Sequence, residues 1–337
     1  MHDPAFALLT AVVVLALIFD FINGFHDTAS TIATSIATRA LNAKGALILS
    51  AAFNFAGAFW SHKVAGTIAT GVAAPSFMDL KVIISALAAA IVWNLVTWYF
   101  AAPSSSSHAL IAALFGAAAM KGFVSGAGLA QLNWPMLLNI AAALFTSPLL
   151  GFIVAFTMFK LMTALARLAG AWPNRVNRGL ARWQVVSAAL ISFSHGGNDA
   201  QKAMGMISLA LFESGYASDI AVPLWVTASC ACAISLGVMA GGWRIINTVA
   251  NKITTLQPAH GFCAEISSAG VVLAASYIGM PVSTTHVAVS AVVGVGASKA
   301  SGRMHRGVLL SVAYAWITTI PASAAIAGGL YFALVSI

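Results

Sequence analysis

The chain has 337 residues, of which 60% are hydrophobic and only 7% charged, with a net charge of +8 at neutral pH; soluble domains average roughly 25% charged residues. This excludes an ordinary soluble enzyme, a disordered chain and a nucleic-acid-binding module, because the basic residues fall between apolar runs, where they set orientation in a bilayer. The uncharged stretches 82–120, 122–159, 220–243, 266–298 and 307–337 each exceed the ~20 residues that cross a bilayer as a helix. The sequence therefore predicts an all-α polytopic membrane protein, and these unbroken runs are unlike the alternating strands of an outer-membrane barrel.

In chain order, 5–41 is the first expected crossing. Met1-His2-Asp3-Pro4 has no basic segment and no small-residue cleavage site, so this run reads as a retained helix and not a signal peptide. It carries Asn23, His26 and Asp27, with Asp20 as its other acid. A carboxylate near the bilayer centre costs roughly 2.5–3.5 kcal/mol and persists where a cation or proton offsets that cost. Asn23-Gly24 is poor helix material, so the helix is expected to unwind there and turn carbonyls toward a small cation. Run 45–62 crosses next. The stretch 82–121 is expected to dip in and return, with Pro103-Ser104-Ser105-Ser106-Ser107-His108 at its tip. Proline stops one helix and serine caps the next, so backbone N–H groups and the positive helix end face the tip, where a tetrahedral oxyanion fits. Run 135–160 closes the first half. Residues 161–182, with Arg167, Arg175, Arg178 and Arg182, form a basic linker expected on the cytoplasmic side.

Past the linker the pattern repeats. Phe193-Ser194-His195-Gly196-Gly197-Asn198-Asp199 aligns with Phe21 to Asp27, and Tyr277 to Lys299, containing Pro281-Val282-Ser283-Thr284-Thr285-His286, aligns without a gap with Tyr99 to Lys121. The expected units are a first repeat (1–160), the linker (161–182) and a second repeat (183–337). Each half makes three net crossings, an odd number, so the second is inverted. Both termini then lie outside, with Arg39, Lys44, Lys160, Arg244, Lys252, Lys299, Arg303, Arg306 and the linker arginines inside, and only Lys63, Lys81 and Lys121 outside. Inverted repeats with broken helices and a site at the midplane characterise secondary transporters.

Asn23, Asp27, Asn198 and Asp199 offer hard oxygen ligands for sodium, or carboxylates for a proton. The alternative is a buried carboxylate paired with Lys202 or with backbone; recurrence at matched positions favours a shared site. The alternative for the hydroxyl tracts is capping of a tight hairpin. His26, His108, His195 and His286 suit orientation or proton relay. A metal site made of these four histidines lacks any i, i+3 or i, i+4 pair, so a metal centre is left open. Cys230, Cys232 and Cys263 form no disulfide framework.

These motifs closely resemble those of the PiT-type inorganic phosphate transporters: NGFHDTAS (23–30), PSSSSH, FSHGGNDAQKAMG (193–205) and PVSTTH, in order, over about residues 15–330. The resemblance implies an inner-membrane, homodimeric phosphate symporter driven by sodium or protons, with no cofactor beyond the coupling ion. Free phosphate or a metal–phosphate complex would be the cargo. Ser105, Ser106, Ser107, Ser283, Thr284 and Thr285 would bind phosphate, and Asn23, Asp27, Asn198 and Asp199 the cation. Ser30 stands where many members carry Asn, and the short linker matches the compact prokaryotic type. A sulfate permease of the same family is the nearest rival. An intramembrane phosphatase is disfavoured because the chain contains neither Arg-Pro nor Ser-Arg. A passive channel is a third reading.

Overall fold

A computed structural model describes residues 4–170, 173–251, 256–298 and 306–336. The helices are α1 (Pro4–Ala37), α2 (Ala43–Gly57), α3 (Lys63–Thr70), α4 (Leu80–Tyr99), α5 (Ser106–Val124), α6 (Trp134–Leu168), α7 (Pro173–Glu213), α8 (Leu224–Ala240), α9 (Trp243–Asn251), α10 (Pro258–Tyr277), α11 (Thr284–Ala297) and α12 (Arg306–Ser336). α1, α4, α5, α6 and α12 are long and apolar enough to cross a membrane by length and composition. Leu138, Phe145 and Leu149 on α6 and Tyr314 and Ile317 on α12 lie exposed, an arrangement costly in water and neutral against lipid. The chain is a multi-pass membrane protein.

Two expected boundaries differ. The run 45–62 is not one helix: α2 stops at Gly57 and α3 starts at Lys63. The break is held by Gln201, whose side-chain oxygen accepts from the amides of Val64 (2.9 Å) and Ala65 (3.1 Å), donors that lack an intrahelical partner at a helix start. Most of the basic stretch 161–182 is helical too. α6 continues to Leu168 and α7 begins at Pro173, a residue that starts helices readily because it has no N–H to leave unpaired. Gly170, with φ +63°, takes the left-handed position that ends α6. Lys252, Lys299 and Arg303, three of the residues expected on the cytoplasmic side, lie outside the described residues.

Packing crosses between the two halves of the sequence. α1 lies on α8 and α2 on α7, while α5 lies on α12 and α6 on α11. The division at 161–182 is thus one of sequence and not of separately packed cores. α1 and α7 also touch, and they run antiparallel. Asn23 reaches Asp199, Thr31 and Ser192 share the Ser50 hydroxyl, and Thr38 donates to Gln184.

The unwinding expected at Asn23-Gly24 does not occur; α1 is continuous helix there, as α7 is through Gly196-Gly197-Asn198. The glycines serve contact instead. A Cβ at Gly24 would collide with the Ile234 carbonyl of α8, and one at Gly237 with the Phe21 carbonyl of α1. In the same way Gly196 meets Asn54 of α2, and Gly57 meets Phe193 of α7. Within a membrane such close backbone approach replaces the hydrophobic drive between helices, and it offsets the ~1 kcal/mol helix penalty of each glycine.

A polar clamp ties three helices together below this contact. Glu265 of α10 is buried and its carboxylate accepts from Thr34 and Ser35 (2.7 Å) of α1 and from Gln184 (3.1 Å) and Ser187 of α7. Removing the carboxylate strands donors that cost about 1–3 kcal/mol each when buried and unpaired. Glu265→Ala is therefore expected to lower the melting temperature in detergent by roughly 5–10 °C, with Glu265→Gln, which keeps an acceptor oxygen, losing about half as much. Gly57→Leu is expected to prevent recovery of monodisperse protein by size-exclusion chromatography. Gly66→Ala, where a Cβ meets nothing, should leave the elution profile unchanged.

Candidate functional site

The antiparallel crossing of α1 and α7 brings Asp27 and Asp199 together, and the N-termini of α5 and α11 arrive at the same place. Ser105 caps α5 by accepting from the His108 amide (3.1 Å), and Ser283 caps α11 by accepting from the His286 amide (3.1 Å). The amides of Ser106, Ser107, Thr284 and Thr285 that follow have no carbonyl a turn earlier within their helices, and each positive helix end faces the tip. The two tips touch: Ser107 Oγ donates to the Val282 carbonyl (2.7 Å), and the rings of His108 and His286 lie 4.6 Å apart.

The hydroxyl tracts and the aspartates form one cluster. Ser106 Oγ donates to Asp27 Oδ2 (3.0 Å), and Thr284 Oγ1 to Asp199 Oδ2 (3.3 Å), at matching places in the two halves. Asn23 Nδ2 donates to Asp199 Oδ2 at 3.2 Å. His26 Nδ1 lies 2.8 Å from Asp27 Oδ1; an ionised carboxylate only accepts, so this nitrogen carries the proton. His195 Nδ1 stands 2.5 Å from Asn54 Oδ1, while the Asn54 amide nitrogen donates to the Ser50 carbonyl. Nδ1 is therefore the protonated nitrogen, and Nε2, 3.3 Å from Asp199 Oδ2, presents a lone pair to the cluster.

Whether these residues fit a small cation can be tested on their unsatisfied atoms. Asn23 Oδ1 and Asp199 Oδ1 are buried without a hydrogen-bond partner. One ligand atom each from Asp27, His195 and Asp199 lie within 4.8 Å of one another. Buried oxygens with no donor suit a bound monovalent cation or a proton. The donor set fits.

Not every expected residue joins the cluster. Asn198 turns away: its amide nitrogen donates to Ser276 Oγ (2.7 Å), and its oxygen faces the Val282 amide (3.5 Å), so it pins the turn before α11. His26 has the matching position in the first half, and it reaches Thr97 (3.1 Å) and Ser104 (3.4 Å) beside the turn before α5. Ser105, Ser107 and Ser283 commit their hydroxyls to the tip itself, and Thr285 Oγ1 is left without a partner. The histidines separate into two sets. His26 bonds Asp27 and His195 stands beside Asp199, whereas His286 stacks on Trp316 with centroids 3.9 Å apart, behind the tips.

Lys202 is central, although from sequence it figures only as a possible partner for a buried carboxylate. One turn beyond Asp199 on α7, it is fully buried and lies 2.9 Å from Asp199 Oδ2 and 2.9 Å from Ser106 Oγ. Asp20, also buried, sits on α1 with neither oxygen hydrogen-bonded. Glu265 is visible in the sequence only as the residue that bounds the apolar run 266–298. A charge inside a membrane-length segment is the available signal for all three.

The sequence profile described as "Phosphate transporter family" matches residues 23–327. The chain is 44% identical to the "Probable low-affinity inorganic phosphate transporter" of Rhizobium meliloti (strain 1021), over 98% of this chain and 97% of that one. It is 42% identical to the protein of the same name from Bacillus subtilis (strain 168), over 98% of each. Among solved structures, "The sodium-dependent phosphate transporter" superposes with a TM-score of 0.87 at 26% identity, covering 98% of this chain and 100% of that one. These relatives are named as transporters and not as enzymes. Continuous over nearly its whole length with such proteins, the chain belongs to the phosphate transporter family.

Proposed function

We propose that the chain imports inorganic phosphate by symport with sodium or protons, through alternating access between two inverted repeats that meet at the cluster around Asp27 and Asp199. The observation that carries this reading is the meeting of two capped, hydroxyl-bearing helix starts on two buried carboxylates. The helix ends attract an oxyanion and the carboxylates demand cations, so neither ligand is accommodated well without the other. A loaded, near-neutral cluster can then be carried while one bundle rocks against the other. The cluster is closed to solvent: Asp27, Ser106, Asp199 and Thr284 are all buried. Opening on one side at a time would admit and release the load.

Phosphate is preferred over sulfate because each carboxylate stands within its hydroxyl tract. Hydrogen phosphate carries a proton to donate to such an oxygen, and sulfate has none. The structural neighbour is named as sodium-dependent, which supports a cation-coupled cycle. The reading extends to an inner-membrane homodimer with residues 161–182 cytoplasmic and both termini outside.

Purified protein in proteoliposomes is expected to take up labelled phosphate when a sodium or pH gradient is imposed, and to stop when the gradient is dissipated. Asp27→Asn should reduce the gradient-driven rate at least ~100-fold; undiminished coupled uptake would remove Asp27 from the mechanism. A tenfold excess of sulfate is expected to leave phosphate uptake within about twofold of its rate, whereas strong competition would favour a sulfate permease.

A further inference from the structure

The two halves match at the aspartates but not one turn later. Asp27-Thr28-Ala29-Ser30 in α1 aligns with Asp199-Ala200-Gln201-Lys202 in α7. In the first half Ser30 turns its hydroxyl to the Asp27 carbonyl (2.7 Å) and brings no charge. In the second, the Lys202 ammonium lies against the carboxylate of Asp199, and neither side chain is exposed to solvent. A buried carboxylate needs a compensating charge; α7 carries a permanent one beside Asp199, whereas α1 offers Asp27 only the His26 ring nitrogen (2.8 Å).

We propose that Lys202 is a tethered counter-cation: its ammonium holds at Asp199 the place that a mobile coupling cation takes beside Asp27, so the protein binds fewer mobile cations than two equivalent halves would. This rests on the transport reading above, whose cluster it refines. The remaining unsatisfied atoms are consistent with a single further position. Asn23 Oδ1 and Asp199 Oδ1 lack partners, and the Asp27 carboxylate lies within 4.8 Å of the Asp199 and His195 ligand atoms. Formal charge leaves room for it, because the two carboxylates of the cluster, Asp27 and Asp199, share one lysine. An ammonium also does what a bare ion does not. It has three N–H donors; Asp199 and Ser106 accept two (2.9 Å each), and the third remains for an oxyanion at the tip. Lys202 thus joins the cation side of one half to the hydroxyl tract of the other.

The test compares the full-length parent with Lys202→Ser, which copies the first half, and Lys202→Met, which keeps the side-chain bulk without the charge. Melting of each purified protein is followed in sodium chloride and in N-methylglucamine chloride at equal ionic strength. Sodium is expected to raise the melting temperature of both variants by at least roughly 5 °C more than that of the parent. A variant recovered folded only in sodium is the same result in stronger form. Equal sodium shifts in parent and variants, or variants as unstable in sodium as in N-methylglucamine, overturn the proposal. The transport reading is judged separately by phosphate uptake of the parent, and its failure would leave the melting comparison intact.

Discussion

The arrangement depends on the cost of holding carboxylates away from water. Asp27, Asp199 and Glu265 are all buried in a protein whose surroundings are hydrocarbon, and none of the three is left bare. The fold meets this demand in two different ways. Glu265 is saturated by four donors from two other helices, which makes it a structural tie. Asp27 is met by the His26 ring nitrogen and the Ser106 hydroxyl, whereas Asp199 receives Asn23, Thr284 and the Lys202 ammonium on one oxygen and nothing on the other. Incomplete satisfaction separates this cluster from the fully bonded Glu265 clamp.

Helix continuity follows from the same constraint. A break at Gly24 or Gly196 would leave buried backbone groups without their helical partners at the contacts with α8 and α2. Keeping α1 and α7 intact transfers the irregular backbone to the starts of α5 and α11, where it is enclosed by protein. The glycines then bring α1 against α8 and α2 against α7, and this cross-packing fixes how the two motif helices pass each other. The carboxylates meet because the backbones do.

Near-symmetry makes the departures from it informative. Caps, hydroxyl donors and aspartates correspond pair by pair. The neighbours that tune them do not: His26 and Asn198 share a position, as do Asn23 and His195, and Ser30 and Lys202. His26 serves both its aspartate and the turn before α5, while Asn198 serves only the turn before α11. One module used twice therefore makes two unlike halves of a single site.

Much of this was legible in the one-dimensional chain. The absence of charge over membrane-length runs has one physical meaning, and it marked a polytopic helical protein. The matched motifs marked Asp27, Asp199 and both hydroxyl tracts, because a repeated polar residue in lipid needs a repeated reason. Local composition misjudged the glycines, since poor helix propensity looks the same whether it signals a break or a close contact, and only the neighbouring backbone tells them apart. It also could not separate Asn198 from Asn23, or choose Lys202 over backbone as the partner of a buried carboxylate. Those outcomes turn on which way a side chain points across three helices distant in sequence, and that is decided by packing.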